Sequence, residues 1–359
     1  MKLIDGGVCA PYGFLASGLH SGMRRNKLKK DLALIYSEAE CRAAAVYTTN
    51  KVKAAPLYVT MENLKTGTAR AVICNSGNAN SCAPDGSENA RKTCRLIANA
   101  LDIEENEVVV ASTGVIGKRL NVDKIEKAIP ELVGGLSTDG SEDAAEAIMT
   151  TDKNKKEIAV EVFIGGGSVK IGAIAKGSGM IHPNMGTMLS FITTDCRISQ
   201  DMLQKALSDS ARRSFNRVSV DGDTSTNDMC VILASGLANN DMIDREDENY
   251  EAFLDGLHYV NVYVARELAR DGEGATKLLT CTVRNAGSEE HAEKIAKCVI
   301  SSSLVKAAMF GSDANWGRVL CAMGYSKAPF KPELVDISFA SEAGCVDVCK
   351  DGAGLSFDE

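Results

Sequence analysis

Short apolar runs alternate with segments of helical periodicity along most of the chain. Five runs have the length of a strand and are rich in Val, Ile and Ala: Ala33–Ser37, Ala69–Ser76, Glu107–Thr113, Ala159–Ile164 and Val169–Ala175. A sixth apolar run begins at Thr187 and is typical of a buried strand. One more strand is predicted within Phe330–Ala340. We therefore expect a substantial sheet.

Apolar residues at intervals of three and four predict helices among these strands. The clearest helix covers Glu248–Arg270, where one face carries Phe253, Leu257, Val260, Val264 and Leu268. The other predicted helices are Glu88–Leu101, Asn121–Val133 with Asn121 as N-cap, one after Ser199 and one after Ser288. Strands and helices that mix without strict βαβ alternation favour an α+β fold built of layers.

Composition narrows the class of protein. The chain has 359 residues, 45% hydrophobic and 25% charged, which is an ordinary globular balance with room for two domains or one large unit. The net charge is −8, and the one basic run, Arg24–Lys30, favours a solvated loop over a nucleic-acid site. No window approaches the ~18 consecutive apolar residues of a membrane span, and no targeting segment is recognisable at the N-terminus.

Cysteine and histidine usage argues against a metal site. The twelve cysteines are scattered without a CxxC pair, so we expect mostly buried thiols in a reducing cytoplasm. The four histidines lie far apart in sequence. We therefore predict a cytoplasmic protein with no metal, no resident cofactor, no membrane contact and no nucleic-acid partner.

The candidate chemistry is concentrated at the junction of Gly186 and Thr187. Cutting this peptide bond would give Thr187 both a hydroxyl nucleophile and a free α-amine. An unperturbed α-amine has a pKa of about 7.7–8.0, so it can act as the general base for the hydroxyl of the same residue. The alternative is an ordinary loop that enters a core strand.

Seven blocks of sequence carry a resemblance to a known family. They are Asn75–Asn80 (NSGNAN), Ala111–Gly117 (ASTGVIG), Met149–Asp152 (MTTD), Ala175–Leu189 (AKGSGMIHPNMGTML), Ser219–Asp228 (SVDGDTSTND), Asp271–Leu278 (DGEGATKL) and Gly311–Val319 (GSDANWGRV). In this order, and across nearly the whole chain, they resemble the bifunctional ornithine acetyltransferase/glutamate N-acetyltransferase family of arginine biosynthesis.

The resemblance implies a fold, an activity and an assembly. The fold would be the family's layered sheet-and-helix sandwich, which is similar to that of N-terminal-nucleophile hydrolases. The chain would cleave itself into an alpha fragment, 1–186, and a beta fragment, 187–359, and two of each would associate. Thr187 would carry acetyl from N-acetylornithine to glutamate in a ping-pong reaction. The residues leave open whether acetyl-CoA is also a donor.

The resemblance also implies roles for individual residues. Thr113 and Gly114 would form the oxyanion hole, although Gly114 could instead serve only as a flexible turn residue. Lys176 would bind a substrate carboxylate and Glu273 a substrate ammonium. Thr150 would contact substrate, but the continuation TTDKNKKE departs from the family's pattern and leaves Thr151 as an alternative.

The remaining blocks are interpreted as supports. Ser219–Asp228 lacks the spacing and terminal glutamate of a calcium loop, so we expect a turn that holds the site through side-chain hydrogen bonds. Asn75–Asn80 and Asn315–Arg318 are interpreted in the same way.

The C-terminal residues predict a weaker activity. Nothing in the last residues, CKDGAGLSFDE, matches the family's C-terminal segment, so we expect a cleaved but poorly active protein.

Two alternatives to acetyl transfer stay open. One is an N-terminal-nucleophile aminopeptidase or amidase, and the other is a truncated homologue without activity.

Overall fold

The computed structural model describes residues 1–181 and 188–357. It divides into two compact units. The first comprises Met1–Val218 and Asp223–Glu273, and the second comprises Ser219–Gly222 and Gly274–Glu359. The bond predicted to be cut lies within the sequence of the first unit, so the alpha and beta fragments are a different division, which stays a prediction.

Strands and helices are numbered in chain order within the described residues. The strands are β1 (Lys2–Ile4), β2 (Phe14–Leu19), β3 (Leu32–Tyr47), β4 (Thr68–Asn78), β5 (Val108–Val115), β6 (Lys156–Ile164), β7 (Gly167–Lys176), β8 (Leu189–Thr194), β9 (Met229–Ala234), β10 (Ile337–Ser341), β11 (Gly344–Lys350) and β12 (Ala353–Gly354). The helices are α1 (Ala55–Asn63), α2 (Gly86–Leu101), α3 (Val122–Gly134), α4 (Ser141–Ile148), α5 (Gln200–Arg213), α6 (Glu248–Arg270), α7 (Glu289–Ser301), α8 (Ser303–Phe310) and α9 (Trp316–Gly324).

Nine strands of the first unit form one mixed sheet. Their order is β1-β6-β7-β8-β9-β3-β4-β5, with β2 paired to β3. The pairs β4–β5 and β8–β9 are parallel and the other pairs are antiparallel. β3 belongs to both halves of the sheet, because its first part pairs with β2 and β4 and its last part pairs with β9. The register shifts between Tyr36 and Cys41, where one half gives way to the other.

The two halves of the sheet enclose one core. Alternate residues of both halves meet in it, including Ile35 of β3, Val72 of β4, Phe191 of β8 and Val231 of β9. A second core lies on the opposite face of β3, β4 and β5, where α2 and α3 cover the sheet through residues such as Ile97 and Ile125. The result is a layered α+β sandwich, as predicted.

Helix α6 covers the outer face of β6 and β7. Gly256 makes this close approach possible, because a Cβ there would lie 2.8 Å from Val162 Cγ2 and 3.2 Å from Ile171 Cδ1. α5 packs against both α6 and β3. Helices therefore lie on both outer faces of the folded sheet.

The predicted elements are largely confirmed. α6 has the predicted bounds, and the five predicted strands correspond to β3, β4, β5, β6 and β7. Ser199 and Ser288 are N-caps, and their hydroxyls accept the N–H groups of Met202 and His291. Asn121 occupies the N-cap position of α3, but its side chain makes no capping hydrogen bond. The basic run Arg24–Lys30 is a largely exposed loop before β3.

The second unit is smaller. It contains α7, α8 and α9 around a core that includes Val299, Val305 and Ala322, and a three-stranded sheet of β10, β11 and β12. The Asn315 side chain caps α9 by accepting the N–H of Arg318 at 3.2 Å, which confirms a structural role for this residue. Across the described ranges, no helix combines the length and apolar character needed to cross a membrane.

Candidate active site

The junction between Gly186 and Thr187 lies outside the described residues, so the predicted nucleophile and cleavage bond are not placed. The chain after it is well defined. Met188 is 3% exposed, and β8 begins at Leu189 and is buried throughout, as expected for the apolar run. The Met188 N–H donates to Asp228 Oδ1 at 2.8 Å. The first described residue after Thr187 is therefore anchored to a buried carboxyl group.

Two adjacent residues connect this position to the tip of β5. Asn227 Nδ2 donates to the carbonyl oxygens of Ser112 at 2.8 Å and Ala79 at 2.7 Å. Asp228, the next residue, accepts from Met188. Ser112 precedes Thr113 in β5, so the proposed oxyanion residues and the residue after Thr187 are held by neighbouring side chains. The side-chain hydrogen bonds expected of Ser219–Asp228 are present at Asn227 and Asp228, and the role of this segment in a site stays a prediction.

Thr113 and Gly114 lie at the end of β5. Thr113 is 8% exposed, and Gly114 has a φ of +132°. A Cβ on Gly114 would lie 2.4 Å from the carbonyl carbon of Gly77, because β4 and β5 approach closely at this point. Both the dihedral angle and the contact require glycine here. This requirement holds whether or not the backbone also stabilises an oxyanion.

The segment Asn75–Asn80 holds β5 from the other side. Ser112 Oγ donates to Asn75 Oδ1 at 2.6 Å, and Asn75 Nδ2 donates to the carbonyl oxygen of Asn78 at 2.8 Å. Asn80 Nδ2 donates to the carbonyl oxygen of Gly86, where α2 begins, at 2.9 Å. The expected structural role of this segment is confirmed.

Lys176 ends β7 and is almost completely buried. It is 3% exposed and pairs with Leu189 in the register of β7 and β8, so it lies beside the strand that follows Thr187. Its Nζ lies 3.6 Å from Asp152 Oδ2. Burial lowers the pKa of Lys176, and the negative charge of Asp152 opposes that change. The Lys176 side chain is therefore buried beside a carboxylate at the start of β8.

Asp152 connects Lys176 to a second buried lysine. Lys156 Nζ lies 2.8 Å from Asp152 Oδ1 and 2.7 Å from Asp271 Oδ2, and the Lys156 side chain is 1% exposed. Burial alone would raise the pKa of Asp152, but the charges of Lys176 and Lys156 outweigh it and hold that pKa well below its ordinary value. The two carboxylates and two ammonium groups form a compact network in which the formal charges cancel.

Thr150 is attached to the same network. Its N–H donates to Asp152 Oδ2 at 2.9 Å, and its hydroxyl lies 3.5 Å from that oxygen. Thr150 is partly buried, whereas Thr151 is exposed. Gly177 N–H donates to Asp152 Oδ1 at 2.6 Å. Asp152 thus fixes the backbone of Thr150 and of the residue after Lys176, which supports Thr150 over Thr151 as the substrate contact.

Glu273 lies close to the chain that follows Lys176. Its N–H donates to the carbonyl oxygen of Ser178 at 2.8 Å. A Cβ on Gly179 would lie 2.4 Å from Glu273 Oε2, so the carboxylate rests against the backbone at Gly179. Glu273 is exposed. The Glu273 carboxylate therefore lies against the segment that follows Lys176 in the sequence.

Sequence reasoning missed Asp152, Lys156, Asp271 and Asp228 as parts of this region. Asp152, Asp271 and Asp228 stand inside or at the edge of the recognised blocks, and this position was their only signal. Lys156 stands in a charged run before the predicted strand Ala159–Ile164, so nothing in the sequence marked it as buried. No group of three or more His, Cys, Asp or Glu in the described ranges is arranged to hold a metal ion.

Comparison with known proteins gives a consistent set of matches. A profile of the ArgJ family matches residues 15–359. The arginine biosynthesis bifunctional protein ArgJ 1 of Clostridium acetobutylicum is 51% identical over 350 residues, covering 97% of this chain and 85% of that protein. ArgJ of Caldanaerobacter subterraneus subsp. tengcongensis is 48% identical over 360 residues, covering 100% and 89%. The crystal structure of ArgJ from Bacillus halodurans is 42% identical, covers 51% of this chain and 96% of that chain, and superposes with a TM-score of 0.49.

Proposed function

The chain belongs to the ArgJ family, and from that premise we propose that it moves an acetyl group from N-acetylornithine to glutamate through an ester on Thr187. Its general activity follows from the family, so it is an acyltransferase of arginine biosynthesis. The self-cleavage, the nucleophile and the individual substrates are the parts that we add.

One observation supports this proposal most strongly. Asn227 binds the carbonyl oxygen of Ser112, and Asp228 binds the N–H of Met188. A nucleophile at position 187 and oxyanion donors at positions 113 and 114 are each one or two residues from these anchors. Acyl transfer requires a nucleophile and oxyanion donors that are held close together before the reaction begins.

Self-cleavage would prepare the nucleophile. Breaking the bond between Gly186 and Thr187 frees the α-amine of Thr187, which then takes the proton of its own hydroxyl when that oxygen attacks the acetyl carbonyl. The hydroxyl of Thr113 and the N–H of Gly114 would stabilise the negative oxygen of the tetrahedral intermediate. Ornithine leaves with the proton, and the acetyl ester of Thr187 remains.

Glutamate would complete the reaction. Its α-amine attacks the ester carbonyl, the same donors stabilise the second tetrahedral intermediate, and the Thr187 hydroxyl is regenerated. Lys176 would bind the α-carboxylate of each substrate in turn. Thr150 would add a hydrogen bond, and Glu273 would attract the side-chain ammonium of ornithine. The buried position of Lys176 strengthens its attraction for a carboxylate, since water screens it little.

The assembly is also proposed from the family. Two alpha and two beta fragments would associate in a cytoplasmic heterotetramer with no resident cofactor. Acetyl-CoA is a second candidate donor, and the same assay decides its use when acetyl-CoA replaces N-acetylornithine.

The test begins with cleavage. The purified chain should give two bands on a denaturing gel, and sequencing of the second band should begin Thr-Met-Leu-Ser-Phe. Thr187→Ala should give one band and no transfer of acetyl to glutamate. Thr151→Ala is the control, because Thr151 is exposed and should leave both cleavage and transfer unchanged. Splitting of Thr187→Ala at the same bond would disprove the assignment of the nucleophile.

The acetyl ester is tested by mass. With N-acetylornithine and no glutamate, the second fragment should gain the mass of one acetyl group and lose it when glutamate is added. Double-reciprocal plots should be parallel across glutamate concentrations. Intersecting lines without a mass gain would indicate direct transfer between two bound substrates. Acetate release that does not depend on glutamate would indicate an amidase.

A further inference from the structure

The cleavage step needs a proton-transfer group that Thr187 itself does not provide. Before cleavage the nitrogen of Thr187 is a peptide nitrogen, whose lone pair is delocalised into the amide and cannot act as a base. The hydroxyl must nevertheless lose a proton, and the departing nitrogen must gain one. The need for such a group rests on the proposed cleavage between Gly186 and Thr187 and points to a second residue.

Asp228 is the described carboxyl group that contacts the chain next to this bond. It immediately precedes β9, is 1% exposed, and accepts the Met188 N–H on Oδ1 at 2.8 Å. Only three covalent bonds, each about 1.3–1.5 Å long, separate the Met188 nitrogen from the Thr187 nitrogen. The carboxyl group is therefore held at the residue that directly follows the proposed cleavage bond.

The second carboxyl oxygen of Asp228 is free to act. Asp228 Oδ2 is buried and has no hydrogen-bonding partner among the residues that the structure describes. The hydroxyls of Thr48 and Ser225 lie near the carboxyl group, but Thr48 donates its proton to the Ser225 carbonyl oxygen at 2.9 Å. Buried polar atoms are nearly always paired, so an unpaired oxygen on the carboxyl group that binds Met188 indicates a function.

The surroundings favour a carboxyl group that both takes and gives a proton. Burial raises the pKa of Asp228 well above its ordinary value, against the hydrogen bond from Met188, the nearby hydroxyls of Thr48 and Ser225, and the positive charge of Lys176. A raised pKa brings an acid–base group closer to the pH at which it works. Lys176 also faces Asp228, but its Nζ already lies 3.6 Å from Asp152 Oδ2, so it has a carboxylate partner of its own.

We propose that Asp228 is the acid–base group of self-cleavage. Its carboxylate takes the proton of the Thr187 hydroxyl while that oxygen forms a bond to the carbonyl carbon of Gly186. It then returns the proton to the Thr187 nitrogen as the peptide C–N bond breaks. The product is an ester between Gly186 and the Thr187 side chain, with a free α-amine. Water hydrolyses the ester, giving the Gly186 carboxylate and the Thr187 hydroxyl.

The test follows the rate of cleavage in newly made protein. The full chain is synthesised in a cell-free system with a labelled amino acid, and the second fragment is quantified over time between pH 5 and pH 9. For the unmodified chain the rate should rise with pH as one group loses its proton. Asp228→Asn keeps an oxygen that can accept the Met188 N–H but cannot carry the proton. It should cleave about 10²–10⁴-fold more slowly, with no dependence on pH.

Asp195→Asn is the matched control. Asp195 is also a completely buried carboxyl group with a raised pKa, and it accepts the N–H groups of Tyr12 and Lys170 just beyond the far end of β8. The same substitution there should leave the cleavage rate unchanged. Limited proteolysis reports whether each variant folds. Asp228→Glu, which keeps the carboxyl group, should recover part of the rate and the pH dependence.

The outcomes separate this proposal from the proposed function. Asp228→Asn cleaving at the rate of the unmodified chain would overturn the role of Asp228 and leave the function standing. Absence of cleavage in the unmodified chain would overturn the cleavage itself. Hydroxylamine cuts esters, so it should release no fragment from Asp228→Asn if that variant never forms the ester. Release of the fragment would show that the ester forms without the Asp228 carboxylate and that only its hydrolysis is slow, which would refute the proposed role. If Asp228→Asn does not fold, the unmodified chain alone decides the outcome. A cleavage rate that stays constant between pH 5 and pH 9 would then refute the proposal.

Discussion

Lys155 and Lys156 are neighbours in sequence but lie in opposite environments. Lys155 forms an ion pair with Glu142 on the surface, where the two side chains are 40% and 60% exposed. Lys156 is buried between Asp152 and Asp271. Removing one partner of a buried pair leaves the other charge without a counter-ion and without water, which lowers the stability of the fold. Removing one partner of an exposed pair costs little stability, because water solvates the remaining charge.

This contrast predicts the effect of substituting each lysine. Lys156→Met should lower the free energy of unfolding by about 3–5 kcal/mol, and Lys155→Met by less than about 1 kcal/mol. Urea unfolding measured by circular dichroism gives both values. Both substitutions belong in the Thr187→Ala background, where we expect the chain to remain in one piece. Equal losses of unfolding free energy would mean that the buried ion pairs of Lys156 contribute no more to stability than the exposed pair of Lys155.

Acid should act on the same network through Asp152. Its pKa is lowered by folding, so its contribution to stability is fully present above the unfolded value of about 3.9 and is lost as the pH falls toward the folded value. We expect the unfolding midpoint in urea to fall between pH 5 and pH 2, and to fall less for Asp152→Asn. An equally steep decline in that variant would assign the acid sensitivity to other carboxylates.

Sequence reasoning could predict single residues only where a local pattern identified them. Thr113, Lys176 and Glu273 stood in recognised blocks, and the structure places Glu273 against Ser178 and Gly179, just after Lys176. The contact between Lys156 and Asp271 joins residues 115 positions apart. No local pattern predicts such a pair, because it forms only when β6 and the end of α6 come together.

At the scale of elements, periodicity predicted α6 well because its apolar face extends over 23 residues. The bent strand β3 was predicted only in part, as Ala33–Ser37. The last part of β3, with its run of alanines, is a strand because β9 pairs with it. Its conformation is therefore decided by a partner almost two hundred residues away and not by local preference.

The contact between α6 and the sheet predicts an effect of adding one methyl group. Alanine normally favours a helix over glycine by about 1 kcal/mol. At Gly256 the new methyl would press on Val162 and Ile171, and such overpacking costs about 1–3 kcal/mol. We therefore expect Gly256→Ala to lower the melting temperature.

Gly134→Ala is the control for this substitution. Gly134 is the last residue of α3, and a Cβ there would meet no atom within 4 Å. That change should raise the melting temperature slightly, because it restricts the unfolded chain without adding a clash. A rise for both variants would show that α6 shifts away from the sheet at little cost.

At the scale of the whole molecule, the strand order of the sheet determines whether the two fragments stay together after the predicted cut. β8 and β9 come after the predicted cut, yet they lie in the middle of the sheet, with β7 on one side and β3 on the other. The β7–β8 and β3–β9 pairs would therefore join the fragments by backbone hydrogen bonds. A cut at this position leaves the sheet intact.

We predict that the cleaved protein behaves as one particle. Both fragments should elute together in size-exclusion chromatography under native conditions, including at high salt, and should separate only in denaturant. Thr187→Ala should elute at the same volume as the cleaved protein. Separation of the fragments without denaturant would contradict the central position of β8 and β9.

The central position of β8 and β9 also makes maturation a one-way event. The uncut chain forms the sheet by folding within one molecule, and its covalent connection keeps β8 near β7 while it folds. Once the chain is cut and unfolded, the two fragments must find each other by diffusion. Their unpaired strand edges meanwhile favour aggregation. The working lifetime of the mature enzyme is then set by the rate at which it unfolds, and not by an equilibrium to which it can return.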